Sequence, residues 1–306
     1  MSEPTRPLET VPCNLCGSTD LETVYDARED LERNHDLAHT FRASSDELLS
    51  QPLVRCRRCS LLFVNPRIAR RAMLDGYAAG ADPVYVSQMD ARVRTFARTI
   101  ARIDDLYPGK GRLLDVGTAA GAFLKAASDA GWEVTGIEPN AWLADWGRKR
   151  YGVTIHVGSL DDVALPEAAF DVVTLWDVIE HTPDPLHVLV RVRRLLKPGG
   201  LLIVNYPDIG SWIARAMGRK WPFLSSVHLY YFTRATMRAA LDRAGFDTVD
   251  VRPHFQRLKL DYIVSRGSVV SPGLSRACTR IVSALRVGSR EVPYWLGQTF
   301  AAARAR

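Results

Sequence analysis

The chain has 306 residues, of which 47% are hydrophobic and 24% are charged, a composition typical of a folded globular protein. Its 40 lysines and arginines exceed its 34 aspartates and glutamates and give a net charge of +6, but they are scattered, so no nucleic-acid partner is expected. The sequence has no apolar run of eighteen residues and no basic-then-apolar leader, so we expect a soluble, cytoplasmic protein without a transmembrane segment.

Residues 1–66 are predicted to form a module organised by four cysteines. Cys13 and Cys16 form one CxxC pair, and Cys56 and Cys59 form a second pair after a long polar insertion. Two such turns supply the four thiolates of a tetrahedral site, so we predict a structural Zn²⁺ ion held by these cysteines. Two disulfides or a redox dithiol are the alternative interpretation.

Residues 67–110 are predicted to be a helical segment that precedes the main domain. Four apolar residues recur there at helical spacing and define one face: Val93, Phe96, Ile100 and Ile103. Pro108 and Gly109 end this helix.

From residue 111 to residue 257, strand-like and helix-like segments alternate. The strands, such as LLDVG and FDVVTLW, are almost wholly apolar, which is typical of strands buried on both faces. The alternation predicts an α/β fold, a doubly wound and mostly parallel sheet with helices on both faces.

Residues 258–306 are predicted to add a helical cap and a last strand, GQTFAAARA. The second cap helix, 273–286, has an apolar side and a basic side, formed by Leu274, Cys278, Ile281, Val282 and Leu285 and by Arg276, Arg280 and Arg286. The favoured interpretation is that the apolar side packs over the sheet, and the alternative is weak peripheral contact with anionic lipid.

The turn after the first core strand, DVGTAAG, has the features of a nucleoside-cofactor site. Gly117 and Gly121 allow a tight turn, and Asp115 ends the strand with a negative charge that suits a cation. Ala119 stands where a dinucleotide loop needs its second glycine. Glu138 ends the second strand, where a carboxylate can accept ribose hydroxyls. This set favours a sulfonium nucleoside over a dinucleotide or a triphosphate.

The runs DVGTAAG, GIEPN, FDVVTLWDVIEH and LLKPGG together resemble the class I S-adenosylmethionine-dependent methyltransferases. The paired CxxC segment resembles a zinc-binding module attached to some of these enzymes. The resemblance covers about residues 11–255 and implies a Rossmann-like sheet of seven strands with S-adenosyl-L-methionine as cofactor. The chain departs from the family at Ala119, where the middle loop glycine is missing.

The resemblance also implies which residues bind the cofactor: Asp115, Gly117, Thr118, Ala119, Gly121, Glu138, Pro139, Ser159, Leu160, Asp161 and Asp177. Asp115 would lie near the methionine end, Glu138 at the ribose, and residues 159–161 at the adenine. Asp177 would face the methionine moiety or the transferred methyl group. The structural alternative is that these carboxylates only cap strand ends and helices.

Two histidines are candidate catalytic bases for methyl transfer to oxygen, which needs alignment and removal of a proton. His181 follows Glu180 in DVIEHTPDP, and His228 lies in SSVHLYYF. Glu180 and His181 have a structural alternative, which is to orient the next helix. A further hypothesis, drawn from related quinone O-methyltransferases, is a divalent cation at Asp177, Glu180 and His181.

The sequence therefore predicts a methyltransferase acting on a small metabolite, most simply on an oxygen of a sugar, glycolipid or quinone-like acceptor that is lipid- or nucleotide-linked. Two alternatives stay open. One is a non-catalytic, zinc-containing scaffold that binds a cofactor, and the other is an NAD-dependent oxidoreductase or epimerase.

Overall fold

The computed structural model describes residues 8–27, 43, 47–78, 80–267 and 272–306. Most of the polar insertion between the CxxC pairs and the side chain of Leu274 lie outside these described residues. The described elements before the main sheet are β1 (Leu8–Glu9), β2 (Leu21–Tyr25), β3 (Leu53–Cys56), β4 (Leu62–Val64), β5 (Arg67–Ile68), α1 (Arg70–Ala78), α2 (Pro83–Val86) and α3 (Met89–Leu106).

The main α/β region follows, and its elements alternate as the sequence predicted. They are β6 (Arg112–Val116), α4 (Ala122–Asp129), β7 (Glu133–Glu138), α5 (Ala141–Tyr151), β8 (Thr154–Val157), β9 (Phe170–Trp176), α6 (Pro185–Leu195), β10 (Leu196–Pro207), α7 (Trp212–Met217), β11 (Tyr230–Tyr231), α8 (Arg234–Arg243) and β12 (Phe246–Pro253). The chain ends with β13 (Gln256–Lys259), α9 (Leu260–Arg266), α10 (Pro272–Ala284), β14 (Glu291–Tyr294) and β15 (Gln298–Ala305).

Seven strands form the central sheet, in the order β12-β15-β10-β9-β6-β7-β8. The neighbours from β10 to β8 run parallel, and β15 runs antiparallel to both β10 and β12. The predicted mostly parallel, seven-stranded sheet is therefore confirmed. Its strand order reverses at β6, so the ligand crevice of this fold class lies beyond the carboxyl ends of β6 and β9.

Helix α3 covers one face of the sheet through the predicted apolar stripe. Ile100 and Ile103 are buried, and Val93 and Phe96 are partly buried against the same cluster. That cluster also contains Phe123 of α4. The periodicity of this helix therefore predicted its packing face correctly.

The cysteine-containing segment is joined to the main domain by a shared sheet. Strands β2, β3 and β4 are extended by β11, which pairs antiparallel with β4 through Tyr230 opposite Phe63. The buried Arg67 side chain donates hydrogen bonds to the Tyr230 hydroxyl and the Pro183 carbonyl. Strand pairing thus crosses the predicted module boundary after residue 66.

The last part of the chain leaves the central sheet after β12 and returns to it at β15. Strands β13 and β14 pair antiparallel, α9 and α10 lie between them, and β15 then enters the sheet. The expectation that the apolar side of α10 packs over the sheet is wrong at Ile281 and Leu285, which are 58% and 65% exposed. Within the described residues, no helix combines the length and apolar character that a membrane crossing requires.

Candidate functional site

The turn between β6 and α4 is tight because three of its residues have positive φ angles. Gly117 and Gly121 have φ values of 70° and 75°, and Ala119 has φ 48°. A Cβ atom on Gly117 would lie 2.6 Å from Cγ2 of Val178, so this turn touches the loop that follows β9. The Ala119 conformation explains why related turns have a glycine there, since a left-handed residue with a Cβ atom is strained.

Glu138 holds this turn against the end of β7. Its Oε2 accepts a hydrogen bond from the Ala119 amide at 2.7 Å, and its Oε1 accepts one from the Asn140 amide at 2.8 Å. The carboxylate is fully buried, and burial raises the pKa of Glu138 to about 7 although the two amides and the Tyr77 hydroxyl lower it. Glu138, the residue predicted to bind the ribose, thus also fixes the conformation of the turn between β6 and α4.

Asp115 lies beside this turn at the carboxyl end of β6. It is 1% exposed and accepts a hydrogen bond from the Thr174 hydroxyl at 2.6 Å. Burial raises the pKa of Asp115 to about 7. The structure therefore brings Asp115, Thr118 and Glu138 together at the carboxyl ends of β6 and β7, and Pro139 follows Glu138 in the chain.

The predicted adenine segment, 159–161, follows β8 next to Glu138, whose carbonyl accepts the Gly158 amide at 3.0 Å. The Ser159 hydroxyl donates to Asp162 at 2.6 Å. The Asp161 carboxylate lies 2.9 Å from His187 Nε2 and is half-exposed. Leu160 is buried, and the contact of its backbone with the adenine stays a prediction.

Helices α1 to α3 add residues to the crevice that the sequence analysis missed. The Tyr77 hydroxyl donates to Glu138, and the Arg92 guanidinium lies 4.5 Å from the centre of the Tyr85 ring. The signal in the sequence was a second stripe on α3, in which polar Gln88, Arg92 and Thr95 recur at helical spacing. Gln88 and Thr95 are buried, so this polar stripe also faces the protein.

Asp177 ends β9 in a conformation that few non-glycine residues adopt, with φ 53°. Its Oδ1 accepts a hydrogen bond from the Asn205 amide at 2.5 Å. Burial raises the pKa of Asp177 to about 6, although the nearby Arg92 guanidinium lowers it. Left-handed backbone at non-glycine residues is frequent at functional positions, and the cofactor role of Asp177 stays a prediction.

Glu180, His181 and His228 form a buried cluster one turn beyond Asp177. One ligand atom from each lies within 4.8 Å of the others, and the two imidazole rings are 4.7 Å apart. Both oxygens of Glu180 are buried without a hydrogen-bond partner among the described residues. Burial raises the pKa of Glu180 well above its ordinary value, and the neighbouring Asp177 raises it further.

The backbone fixes the orientation of both histidine rings. His181 Nδ1 lies 2.9 Å from the Val227 carbonyl, and His228 Nδ1 lies 2.7 Å from the Phe223 carbonyl. A carbonyl only accepts hydrogen bonds, so each Nδ1 carries the proton and each Nε2 has a free lone pair. Burial lowers the pKa of His181 to about 4 and that of His228 well below its ordinary value, so both rings are neutral at pH 7.

The cluster of Glu180, His181 and His228 can hold a proton or a cation. Its members differ from the residues predicted to bind a cation, which were Asp177, Glu180 and His181. The structure groups His228 with Glu180 and His181, whereas the Asp177 carboxylate is not part of that group. Two neutral imidazoles and one unpartnered carboxylate are a donor set that suits a divalent transition metal.

The four predicted zinc ligands also lie together. The Cys13 and Cys59 sulfurs are 3.4 Å apart, those of Cys16 and Cys56 are 3.5 Å apart, and all four lie within 4.8 Å of one another. All four cysteines are free, and tetrahedral zinc with bonds of about 2.3 Å needs sulfur separations of about 3.8 Å. The geometry fits a Cys₄ zinc ion better than two disulfides.

The geometry of the crevice agrees with comparisons to known proteins. A family model described as a methyltransferase domain matches residues 85–251, more than half of the chain. The chain belongs to this methyltransferase family. The matched stretch contains the cofactor turn, Glu138 and the Glu180, His181 and His228 cluster.

Individual relatives align with only part of this chain. A protein of Mycolicibacterium smegmatis, described as a probable S-adenosylmethionine-dependent methyltransferase, is 30% identical over 54% of this chain and 64% of its own. A ubiquinone biosynthesis O-methyltransferase of Cereibacter sphaeroides is 32% identical over 45% of this chain and 61% of its own. The chain therefore covers less than two thirds of each of these two relatives.

A solved structure shares the fold of the methyltransferase. It belongs to a complex between the Haloferax volcanii Trm112 methyltransferase activator and a protein assigned as a methyltransferase. The TM-score is 0.53 at 20% identity, and the alignment covers 76% of this chain and 97% of that chain.

Proposed function

We propose that the protein is an S-adenosylmethionine-dependent methyltransferase that methylates an oxygen of a small acceptor, with a quinone-like phenol favoured over a sugar or glycolipid. The observation that carries the proposal is the contact between two sites. The cofactor turn held by Glu138 touches the loop that carries Glu180 and His181, through Gly117 and Val178. The names of the ubiquinone O-methyltransferase relatives support oxygen as the accepting atom.

The cofactor end of the crevice is proposed to bind by shape and charge. Gly117 and Gly121 let the backbone approach the ligand, and Glu138 offers the remaining lone pairs of its carboxylate to ribose hydroxyls. Asp115 and Asp177 supply negative potential to the cationic methionine end, while Arg92 is placed to pair with its carboxylate. Ser159, Leu160 and Asp161 remain the proposed adenine segment.

The acceptor end is proposed to remove a proton. When bound, S-adenosylmethionine supplies a methyl group on a positively charged sulfur. The acceptor hydroxyl would lose its proton to Nε2 of His181 or His228, which would leave its oxygen free to accept the methyl group that the cofactor supplies. Each ring has its Nε2 free to accept a proton, because its Nδ1 donates to a backbone carbonyl.

A divalent cation at Glu180, His181 and His228 is a second proposal for the same cluster. The unpartnered oxygens of Glu180 favour it, since a buried carboxylate without a hydrogen bond is costly unless it is protonated or binds a cation. Such an ion would lower the pKa of an acceptor hydroxyl. Metal content beyond the zinc ion expected at the four cysteines, compared between Glu180→Gln and wild-type protein, distinguishes the two proposals, because the base alone predicts no such additional ion in either.

Cofactor binding is tested by calorimetry with S-adenosylmethionine and with NAD. Wild-type protein is expected to bind the former alone, and Glu138→Ala is expected to weaken binding by at least tenfold. Glu133→Gln is the matched control, because Glu133 begins the same strand and its side chain is 72% exposed. Binding of NAD without S-adenosylmethionine would instead favour the oxidoreductase alternative.

Catalysis is tested with a labelled methyl donor and three acceptors, a catechol, a reduced quinone and a sugar. His181→Gln and His228→Gln are expected to lower kcat for the phenolic acceptors by about 100-fold or more. His156→Gln, on the exposed side of β8, is the control. Tight cofactor binding with no transfer to any acceptor would favour the scaffold alternative.

A further inference from the structure

The outward side of α10 carries an apolar stripe that the fold leaves uncovered. Ala277, Ile281, Ala284 and Leu285 follow one another at helical spacing, and all four are exposed. Ile281 and Leu285 are large side chains, with 58% and 65% of their surface exposed. The other side of the helix packs on α9, where the Ser275 hydroxyl donates to the Val264 carbonyl at 2.7 Å. The stripe is therefore a surface of the cap.

Unpaired positive charge surrounds this stripe. Four arginines lie in or next to α10, and their side chains have no hydrogen-bond or ion-pair partner among the described residues: Arg276, Arg280, Arg286 and Arg290. The only acidic residue from 272 to the last residue is Glu291, which is bound to Arg94. A strong local excess of positive charge remains.

The cap carries this surface close to the candidate active site. Strand β13 leads directly into α9, and its Arg257 amide donates to the Thr95 hydroxyl of α3 at 2.8 Å. The cap is thus bound to α3, the helix that carries Arg92, while the stripe on α10 faces away from α9.

We propose that this stripe and its arginines dock the protein on an anionic membrane surface. A helix with bulky apolar residues bordered by arginines lies in the interface between lipid headgroups and acyl chains. Each basic residue near an anionic leaflet strengthens binding on the order of fivefold. This charge complementarity selects lipid as the occupant.

A second copy of the chain fits the surface less well. Two copies related by a twofold axis would bring the same unpaired arginines together, which is unfavourable. A stable dimer also needs an interface of at least about 1,200 Å², far more than two large apolar side chains provide. Docking through the cap implies that the acceptor is dissolved in the membrane or anchored to it, and this inference rests on the proposed function.

The test is sedimentation of the full chain with vesicles of phosphatidylcholine alone or mixed with phosphatidylglycerol. Wild-type protein is expected to sediment with the anionic vesicles only, and less at high salt. Ile281→Ser combined with Leu285→Ser should weaken this binding at least tenfold, and Arg276→Gln combined with Arg280→Gln about 25-fold. Val249→Ser is the matched control, because Val249 is an apolar residue on β12 with 46% exposure.

Three results would overturn the proposal. The first is wild-type protein that stays in the supernatant with anionic vesicles, and the second is docking variants that bind like wild type. The third is a dimer, detected by sedimentation equilibrium without vesicles, that the Ile281 and Leu285 changes abolish, which would assign the surface to a second copy. Calorimetry with S-adenosylmethionine and transfer to a water-soluble catechol report separately on the proposed function, and the docking variants should leave both unchanged.

Discussion

Replacing Gly117 with alanine tests the contact between the cofactor turn and the loop after β9. The residue has φ 70°, and its added Cβ atom would lie 2.6 Å from Cγ2 of Val178. A left-handed alanine costs about 1–2 kcal/mol, and an extra methyl group in a packed site costs about 1–3 kcal/mol. Gly117→Ala should therefore lower the free energy of unfolding by about 2–5 kcal/mol.

Gly152→Ala separates the two contributions. Gly152 has nearly the same backbone conformation, with φ 68°, but no atom lies within 4 Å of its Cβ position. The Gly152→Ala variant should lose only the conformational part of the unfolding free energy, about 1–2 kcal/mol. Urea denaturation monitored by circular dichroism measures this loss. Val178→Ala should rescue part of the loss in Gly117→Ala, as a double-mutant cycle would measure. Equal losses at Gly117 and Gly152, without rescue, would refute the contact between the two loops.

Three further predictions concern single groups. Tyr77→Phe removes a hydroxyl that donates to Glu138 and should cost about 1 kcal/mol in unfolding free energy. Tyr151→Phe removes a buried hydroxyl that has no hydrogen-bond partner among the described residues, and it should cost nothing. Glu138 has a pKa of about 7 in the folded protein against 4.5 in the unfolded chain. As pH rises from 4.5 to 7, the free energy of unfolding of wild-type protein should therefore fall by about 3 kcal/mol relative to that of Glu138→Gln. Parallel pH profiles of the two proteins would contradict this. Mass spectrometry should find a zinc ion at the cysteine cluster of wild-type protein, so that Cys59→Ser contains one metal ion fewer per chain. Zinc removal should spare binding of S-adenosylmethionine, and metal-free reduced wild type would show that the cysteine cluster has another role.

Local patterns predicted those parts of the structure that depend on sequence neighbours. The αβ alternation predicted the sheet, because each strand and helix carries its own periodicity. The turn from Asp115 to Gly121 and the end of β7 at Glu138 were recognisable from short motifs. The two CxxC pairs likewise predicted a cluster that the structure brings within 4.8 Å.

Other features depend on contacts between distant residues and were missed for that reason. His228 joins Glu180 and His181 across 47 positions, so the cation hypothesis, which was built on the neighbouring Asp177, left this histidine out. The amphipathic pattern of α10 showed two different sides, but a pattern does not tell which side finds a partner. Strand β11 has only two residues, and its pairing with β4 leaves no periodic signal.

The pairing of β4 with β11 limits how far this protein can be shortened. A fragment trimmed to residues 85–251 would expose the edge of β11 and release the neighbouring segment that carries His228. It would also lack β15, which separates β10 from β12 in the sheet. We therefore expect a fragment that folds by itself to be longer than the stretch matched by the family model, and to include both the cysteine turns and the final strand.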